Sequence, residues 1–304
     1  MRIALLFALL TLSPAIAQAA ESCAPPRLLD TIQMTRGAHG AVDMAPVRVN
    51  GTAENFIFDT GGFYSQVSPA TAAALHLPVH PSGRILYDVR GTASRNQAEA
   101  DSFALGTSNH AHMMLQLSPN IGAFEGEPID GLLALDMLGG ADLDIDFGAD
   151  ILKLFAPDHC PGTGVTWGPP AMAAVPIARN SGYITVQVVL GGHAIEAILD
   201  TGASDTALTE DAARKIFGLV PGDTATPRYG ELNGAPGLPT YIHYFPSLTF
   251  GQVDVGEPGV LVIPQGTRNR LDVSGLVIGM DVLRHLHVYM AMAEHKMYVT
   301  PASQ

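Results

Sequence analysis

The chain has 304 residues, 47% of them apolar and 15% charged, so it can hold two domains and is too apolar for a disordered protein. Its net charge of −13 argues against nucleic acid as the main partner, because phosphate binding needs a basic surface. These values favour a folded protein with a large buried core.

The N-terminus has the pattern of a secretory signal peptide. Arg2 supplies a positive start, and the apolar run from Ile3 to Leu12 is too short to span a bilayer. Two A-x-A cleavage patterns follow within Ala15–Ala19. We therefore predict a signal peptide at residues 1–20 and an exported protein, periplasmic or secreted. A buried first helix or a lipoprotein is the alternative. Since no later run of 18 apolar residues occurs, we expect no membrane span in the mature chain.

The two cysteines of the chain, Cys23 and Cys160, flank the first half of the mature sequence. Export places them in an oxidising compartment, so we expect them to form a disulfide. The bond would fasten the N-terminal tail to the segment between the two halves. Two unpaired thiols are the alternative.

A first Asp-Thr-Gly sequence follows a predicted hairpin. Alternating apolar residues predict a strand over Val42–Val49, and Asn50-Gly51 is a strong hairpin turn signal. The next apolar strand, from Asn55 to Phe58, ends in Asp59-Thr60-Gly61. An apolar strand should be buried, and an ionised carboxylate at its end is costly unless it has a function. Ser68 and the proline after it then predict the start of a short helix.

The second half of the chain repeats this plan. Asp200-Thr201-Gly202 follows another apolar strand 141 residues after the first copy, and Thr209 takes the helix-capping position of Ser68. A later apolar motif, Ile129–Leu138, recurs as Ser274–Leu283 at an offset of 145. The four extra residues fall in a hairpin tip, where insertions are tolerated. We predict an N-terminal lobe at residues 21–160, a turn-rich linker at 161–174 and a C-terminal lobe at 175–304.

The paired motifs resemble those of aspartic proteases. Each lobe has a hydrophobic-hydrophobic-Asp-Thr-Gly-small sequence, followed 75 to 80 residues later by an apolar stretch and an Asp-x-Leu sequence, as in Leu276–Leu283. The form of the second motif is similar to that of bacterial retropepsin-like members, here with both lobes in one chain. The resemblance implies an all-β, bilobal aspartic-protease fold of two retropepsin-like β-barrel lobes related by a pseudo-twofold axis. It also implies a peptide or protein substrate, activity as a monomer, and no cofactor or metal.

The resemblance also assigns roles to individual residues. Asp59 and Asp200 would share a proton and activate a water molecule for attack on a peptide bond. Thr60 and Thr201 would hydrogen-bond across the lobe interface. The remaining assignments are Gly61 and Gly202 for close backbone approach, Gly91, Asn233 and Gly234 for flaps over the cleft, and Tyr87 and Tyr229 for flap aromatics or, alternatively, ordinary strand residues.

Several positions depart from the family pattern. Gly62 stands where a small or hydroxyl residue is usual, and Ala134 stands where the second copy has Gly279. Neither Gly62 nor Ala203 carries a hydroxyl that could stabilise an ionised catalytic carboxylate. We therefore expect a less acidic pH optimum than that of pepsin-like enzymes.

Other acidic residues and histidines have structural interpretations. We expect Asp136 and Asp281 to be caps behind the active-site loops. The alternating Asp142, Asp144 and Asp146 lack a calcium-loop pattern and are interpreted as a solvated strand edge. Two histidine pairs, His110 with His112 and His285 with His287, have no evident third ligand and are not assigned to a metal.

Two functions remain open at this stage. The first is an exported aspartic endopeptidase, which the retention of both aspartates, both threonines and both glycines favours. The second is a catalytically inactive pseudoprotease that keeps the cleft and binds peptides.

Overall fold

The computed structural model describes residues 23–87, 92–119, 123–124, 126–138, 140–167, 172–180, 182–232, 237–263 and 275–302. The predicted signal peptide lies outside the described residues, and so do the predicted flap residues Gly91, Asn233 and Gly234. The described part is built mainly of β-strands, as the all-β expectation requires.

The first half of the chain forms a lobe whose strands close on themselves. Its strands are β1 (Leu28–Gln33), β2 (Thr35–Gly37), β3 (Val42–Val49), β4 (Thr52–Asp59), β5 (Gln66–Val67), β6 (Val79–Tyr87), β7 (Ala93–Leu105), β8 (Ser108–Leu117), β9 (Ala123–Phe124), β10 (Glu127–Pro128), β11 (Gly131–Ala134), β12 (Asp142–Asp146) and β13 (Ile151–Phe155), with helix α1 at Pro69–Ala74. One sheet runs β2-β3-β4-β11-β5-β8-β7-β6, and a further pairing of β3 with β7 closes it into a barrel.

The second half forms a related lobe. Its strands are β14 (Ala173–Asn180), β15 (Tyr183–Leu190), β16 (His193–Leu199), β17 (Ala207–Thr209), β18 (Arg228–Glu231), β19 (Pro239–Tyr244), β20 (Leu248–Phe250), β21 (Val253–Val255), β22 (Gly259–Ile263), β23 (Leu276–Ile278), β24 (Leu286–Ala291) and β25 (Lys296–Pro301), with helices α2 at Glu210–Phe217 and α3 at Met280–Leu283. Its sheet runs β15-β16-β23-β17-β22-β19-β18.

Local sequence signals explain many of these boundaries. Strand β3 has the predicted limits. The Ser68 side chain accepts a hydrogen bond from the backbone N–H of Thr71, and Thr209 does the same for Ala212, so both predicted helix caps are confirmed. Helix α2 ends at Gly218, whose φ of 67° is a left-handed conformation that glycine adopts without strain.

A six-stranded antiparallel sheet, here called the base sheet, joins the lobes. Its order is β1-β13-β12-β24-β25-β14, so each half of the chain contributes three strands. The central pair is β12 with β24, in which Leu143 faces Met290 and Ile145 faces Val288. All four side chains are buried in the main hydrophobic core, which therefore runs through both lobes.

The acidic strand β12 corrects one expectation. The solvated-edge interpretation of its aspartates is wrong for Asp142 and Asp144, which are each 1% exposed. Asp142 accepts hydrogen bonds from Tyr289 (3.2 Å) and pairs with the His159 ring (2.7 Å). Asp144 pairs with His287 at 2.5 Å. The strand is central in the base sheet, so its polar face is covered by side chains from the linker and the other lobe.

The His159 side chain is held in this buried polar cluster by two acceptors. Burial alone would lower the pKa of His159, but hydrogen bonds to the Cys160 carbonyl and to Asp142 raise it above its usual value. The neighbouring Cys160 forms a disulfide with Cys23, which ties the start of the described chain to the linker as expected.

Candidate active site

In each lobe the aspartate lies at the end of a strand that pairs with neighbouring strands of the sheet. Strand β4 pairs in parallel with β11, and the chain returns after the Asp59 loop as β5 on the other side of β11. The second lobe repeats this with β16, β23 and β17 around Asp200. The two carboxylate-bearing residues are 0% and 2% exposed, so both lie inside the molecule.

The two Asp-Thr-Gly loops are joined by reciprocal hydrogen bonds of their threonines, here called the threonine grip. The Thr60 hydroxyl donates to the Leu199 carbonyl at 2.8 Å and accepts from the Thr201 N–H at 3.1 Å. Reciprocally, the Thr201 hydroxyl donates to the Phe58 carbonyl at 2.6 Å and accepts from the Thr60 N–H at 2.9 Å. These four bonds cross the lobe boundary between fully buried groups, as expected for the two threonines.

The glycines bring each aspartate against the opposite loop. A Cβ atom built on Gly202 would lie 2.7 Å from the Cγ atom of Asp59, and one on Gly61 would overlap the Asp200 carboxylate. Because real Cβ atoms do not approach other atoms so closely, only glycine fits at either position. The structure therefore brings Asp59 and Asp200 together at the lobe interface. The Gly202 N–H also donates to Oδ1 of Asp200 at 3.0 Å.

Hydroxyl residues six positions after each aspartate anchor the loops from behind. Ser65 donates from its N–H (3.0 Å) and its hydroxyl (2.7 Å) to Oδ1 of Asp136. Thr206 makes the same two bonds, of 2.9 and 2.6 Å, to Oδ1 of Asp281. Asp136 and Asp281 thus have the structural position that we expected. Ser65 and Thr206 were missed, although their spacing of 141 residues equals that of the two aspartates.

The hydroxyls of these anchors also accept from the later apolar motif. Ser65 Oγ accepts from the Ala134 N–H at 3.0 Å, and Thr206 Oγ1 accepts from the Gly279 N–H at 3.1 Å. Burial raises the pKa of Asp281, while the hydrogen bonds from Thr206 act in the opposite direction.

The departures at Gly62 and Ala134 compensate for each other. A Cβ atom on Gly62 would lie 3.0 Å from the Ala134 Cβ and 2.8 Å from Oδ2 of Asp59. In the second lobe the equivalent residues are Ala203 and Gly279, and a Cβ on Gly279 would lie 2.5 Å from the backbone carbonyl carbon of Asp205. Each loop and its apolar partner motif therefore carry one methyl group between them. Ala134 fits because Gly62 has no side chain.

Two small apolar clusters, separate from the main core, flank the aspartates. Because side chains alternate along a strand, Ile57 shares a face with Asp59, and Ile198 shares a face with Asp200. Ile57 belongs to a cluster in the first lobe with Val42, Met44, Ile129 and Leu132. Ile198 belongs to a cluster in the second lobe with Tyr183, Leu261, Ile263 and Val277.

Comparison with known families agrees with this geometry. A family model described as aspartyl protease matches residues 45–137 and 186–282, which together make up more than half of the chain. The chain belongs to the aspartyl protease family. The two matched segments begin 141 residues apart and end 145 apart, so this family match contains the duplication and the later insertion.

A solved structure supports the bilobal form of the fold. The crystal structure of basic 7S globulin from soybean matches with a TM-score of 0.56 over 92% of this chain and 96% of that chain. At 11% identity this similarity concerns the fold alone. No curated protein matches the sequence at a significant level.

The remaining predicted site residues are exposed or lie outside the described part. Tyr87 is the last residue of β6 and is 46% exposed, and Tyr229 lies within β18 and is 63% exposed. No group of three or more metal-ligating side chains is found among the described residues. No helix in the described ranges is long and apolar enough to cross a membrane.

Proposed function

We propose that the protein is an exported aspartic endopeptidase in which Asp59 and Asp200 activate a water molecule in the cleft between the lobes. The observation that carries this proposal is the reciprocal threonine grip, with each aspartate packed against the opposite glycine. A duplicated loop that served only as a turn would not need two carboxylates at one buried point.

The chemistry follows from the shared burial of the two acids. In the proposed mechanism one carboxyl group of the pair acts as general base and the other as general acid. The ionised carboxylate takes a proton from water, and the resulting hydroxide forms a bond to the peptide carbonyl carbon while the protonated carboxyl donates to its oxygen. The C–N bond then breaks as the dyad returns a proton to the leaving nitrogen. Both products are peptides, and no covalent enzyme intermediate forms.

The decisive experiment compares three proteins on a denatured protein substrate and a peptide library. These are the wild type, Asp59→Asn and Asp200→Asn, each assayed from about pH 3 to about pH 8 with and without pepstatin. We expect cleavage by the wild type alone, and we expect pepstatin to abolish it. Near-identical thermal unfolding would establish that the Asn variants are folded. Cleavage that persists in Asp200→Asn would refute the assignment.

The pseudoprotease alternative gives a different result in the same experiment. A folded wild type that binds pepstatin but cleaves no peptide at any pH would support it and contradict the endopeptidase proposal. Export is tested separately, by cell fractionation and N-terminal sequencing of the mature chain. We propose cleavage of a signal peptide between about residues 18 and 21 and an active monomer, because one chain supplies both aspartates.

A further inference from the structure

The two flanks of the aspartate pair differ at two pairs of positions that the duplication makes equivalent. Phe63 of the first lobe corresponds to Ser204 of the second, and Tyr183 of the second corresponds to Val42 of the first, both at an offset of 141. One flank therefore has two aromatic rings where the other has a hydroxyl and an isopropyl group. The two lobes therefore carry different side chains at equivalent positions beside the aspartate pair.

The aromatic pair spans the lobe boundary. The ring centroids of Phe63 and Tyr183 are 4.3 Å apart with an interplanar angle of 48°. A Cβ atom built on Gly182 would overlap the Phe63 ring, so that ring also lies directly against the backbone of the second lobe. Phe63 remains 41% exposed, whereas Tyr183 is 8% exposed. The phenylalanine side chain is thus partly exposed to solvent and is backed by a buried tyrosine.

This pair adjoins both catalytic loops. Phe63 follows Gly62, whose Cα carries no side chain because Asp59 and Ala134 occupy the space. Tyr183 lies in the apolar cluster of Ile198, and Ala203 of the Asp200 loop packs against that cluster. In the proposed cleft, this flank is where a peptide side chain would meet the Phe63 ring.

The opposite flank has a smaller side chain at the equivalent position. The Ser204 hydroxyl donates to Oδ2 of its neighbour Asp205 at 2.9 Å, so the small side chain is turned to its own loop. Val42 is buried in the first apolar cluster. A phenylalanine ring is several carbon atoms larger than a serine side chain, so the two flanks offer different space at equivalent positions.

We propose that Phe63, backed by Tyr183, is a specificity-determining residue that restricts one side of the scissile bond to small side chains, while the Ser204 side accepts large apolar ones. This inference rests on the proposed peptide-binding cleft and adds a substrate class to it. A difference of several carbon atoms in an apolar pocket gives a discrimination of at least about tenfold in kcat/KM.

The test uses matched peptides that carry alanine or phenylalanine on either side of one scissile bond. For the wild type we expect phenylalanine to be disfavoured on one side only. Phe63→Ser copies the second lobe and should raise kcat/KM for phenylalanine on that side at least about tenfold relative to alanine. Ser204→Phe copies the first lobe and should impose the same restriction on the other side. Tyr244→Ser truncates a 66% exposed aromatic residue elsewhere and should leave the profile unchanged.

Binding separates a failure of this inference from a failure of the catalytic proposal. Statine-containing peptides with the same substitutions are titrated by calorimetry, which needs no turnover. If the wild type binds them with the one-sided preference but cleaves nothing, the specificity inference stands and the endopeptidase proposal fails. If Phe63→Ser keeps the wild-type preference in cleavage or in binding, the inference is overturned. Absence of all peptide binding overturns both.

A structural role of the ring would give another pattern. If Phe63 only holds the lobes together, Phe63→Ser should lower the unfolding temperature and reduce kcat/KM equally for all peptides, which contradicts the proposal. Phe63→Val, which keeps part of the apolar contact, serves as a second variant if the serine variant does not fold. It should show an intermediate preference, and a wild-type preference would overturn the inference.

Discussion

The threonine grip gives the most direct energetic prediction. Thr60→Val keeps the shape of the side chain and removes its hydroxyl. The change deprives the Leu199 carbonyl of its donor and the Thr201 N–H of its acceptor. Both groups are at the centre of the buried interface, where no replacement partner is supplied by the substitution.

The magnitude follows from the two groups left without a hydrogen bond. Each unsatisfied buried polar group costs about 1–3 kcal/mol, so Thr60→Val should lower the free energy of unfolding by about 2–6 kcal/mol. That is a large part of the total stability of a typical protein, which is about 5–15 kcal/mol. Thr60→Ser is the matched control. It keeps the hydroxyl and loses one methyl group, for a cost of about 1 kcal/mol.

Urea unfolding followed by circular dichroism measures both variants. We expect the midpoint of the valine variant to fall well below that of the serine variant, with similar slopes. Thr201→Val should have a cost similar to that of Thr60→Val, because the four hydrogen bonds are reciprocal. Equal midpoints for the valine and serine variants would show that the grip does not stabilise the lobe interface.

Three further predictions follow from the structure. Gly62→Ala should destabilise the protein by about 1–3 kcal/mol through overpacking against Ala134, and adding Ala134→Gly should recover part of that loss. Gly83→Ala, at a position with open space around it, is the control and should have little effect. If the effects of Gly62→Ala and Ala134→Gly were strictly additive in a double-mutant cycle, the proposed contact would be contradicted. Burial raises the pKa of Asp43 to about 6, so the native state holds its proton more tightly than the unfolded chain. The free energy of unfolding should therefore decrease by up to about 3 kcal/mol as the pH rises from about 4 to about 6. Urea unfolding of Asp43→Asn at the same pH values should not show this decrease. Cys23→Ser opens a disulfide that spans 137 residues and should cost about 2–5 kcal/mol in urea unfolding, an effect that reductant reproduces in the wild type but not in the variant.

Local signals in the sequence predicted the strands and helix starts well. The limits of β3 and the caps at Ser68 and Thr209 follow from alternation and from hydroxyl side chains that satisfy the first helical N–H groups. These features depend on a few neighbouring residues. The aspartates of β12 were misassigned because alternation defines a face and does not reveal what covers it. That face is covered by His159 and by residues of β24, which are distant in sequence.

In the candidate site, too, features that depend on neighbouring residues could be predicted, and those that depend on distant contacts could not. The aspartates, threonines and glycines could be assigned because each occurs twice with the same neighbours. Ser65 and Thr206 were equally periodic, but their role depends on carboxylates about 70 residues later, a pairing that only the folded β5–β11 and β17–β23 contacts reveal. The contact of Phe63 with Tyr183 joins residues that are not equivalent in the repeat, so comparison of the two copies could not have found it.

The two lobes differ in ways that have different consequences. In the first lobe Ala134 occupies space that Gly62 leaves open, and in the second lobe Gly279 packs against the backbone of Asp205, so both loops remain closely packed. At Phe63 and Ser204 the difference in size is not offset by an opposite change in a neighbouring residue. The Phe63 ring contacts Tyr183 across the lobe boundary, whereas the Ser204 hydroxyl bonds to its neighbour Asp205. Compensated differences preserve the geometry of the aspartate pair. An uncompensated difference beside that pair alters the shape of the cleft, and this is why we locate the asymmetry of substrate choice there.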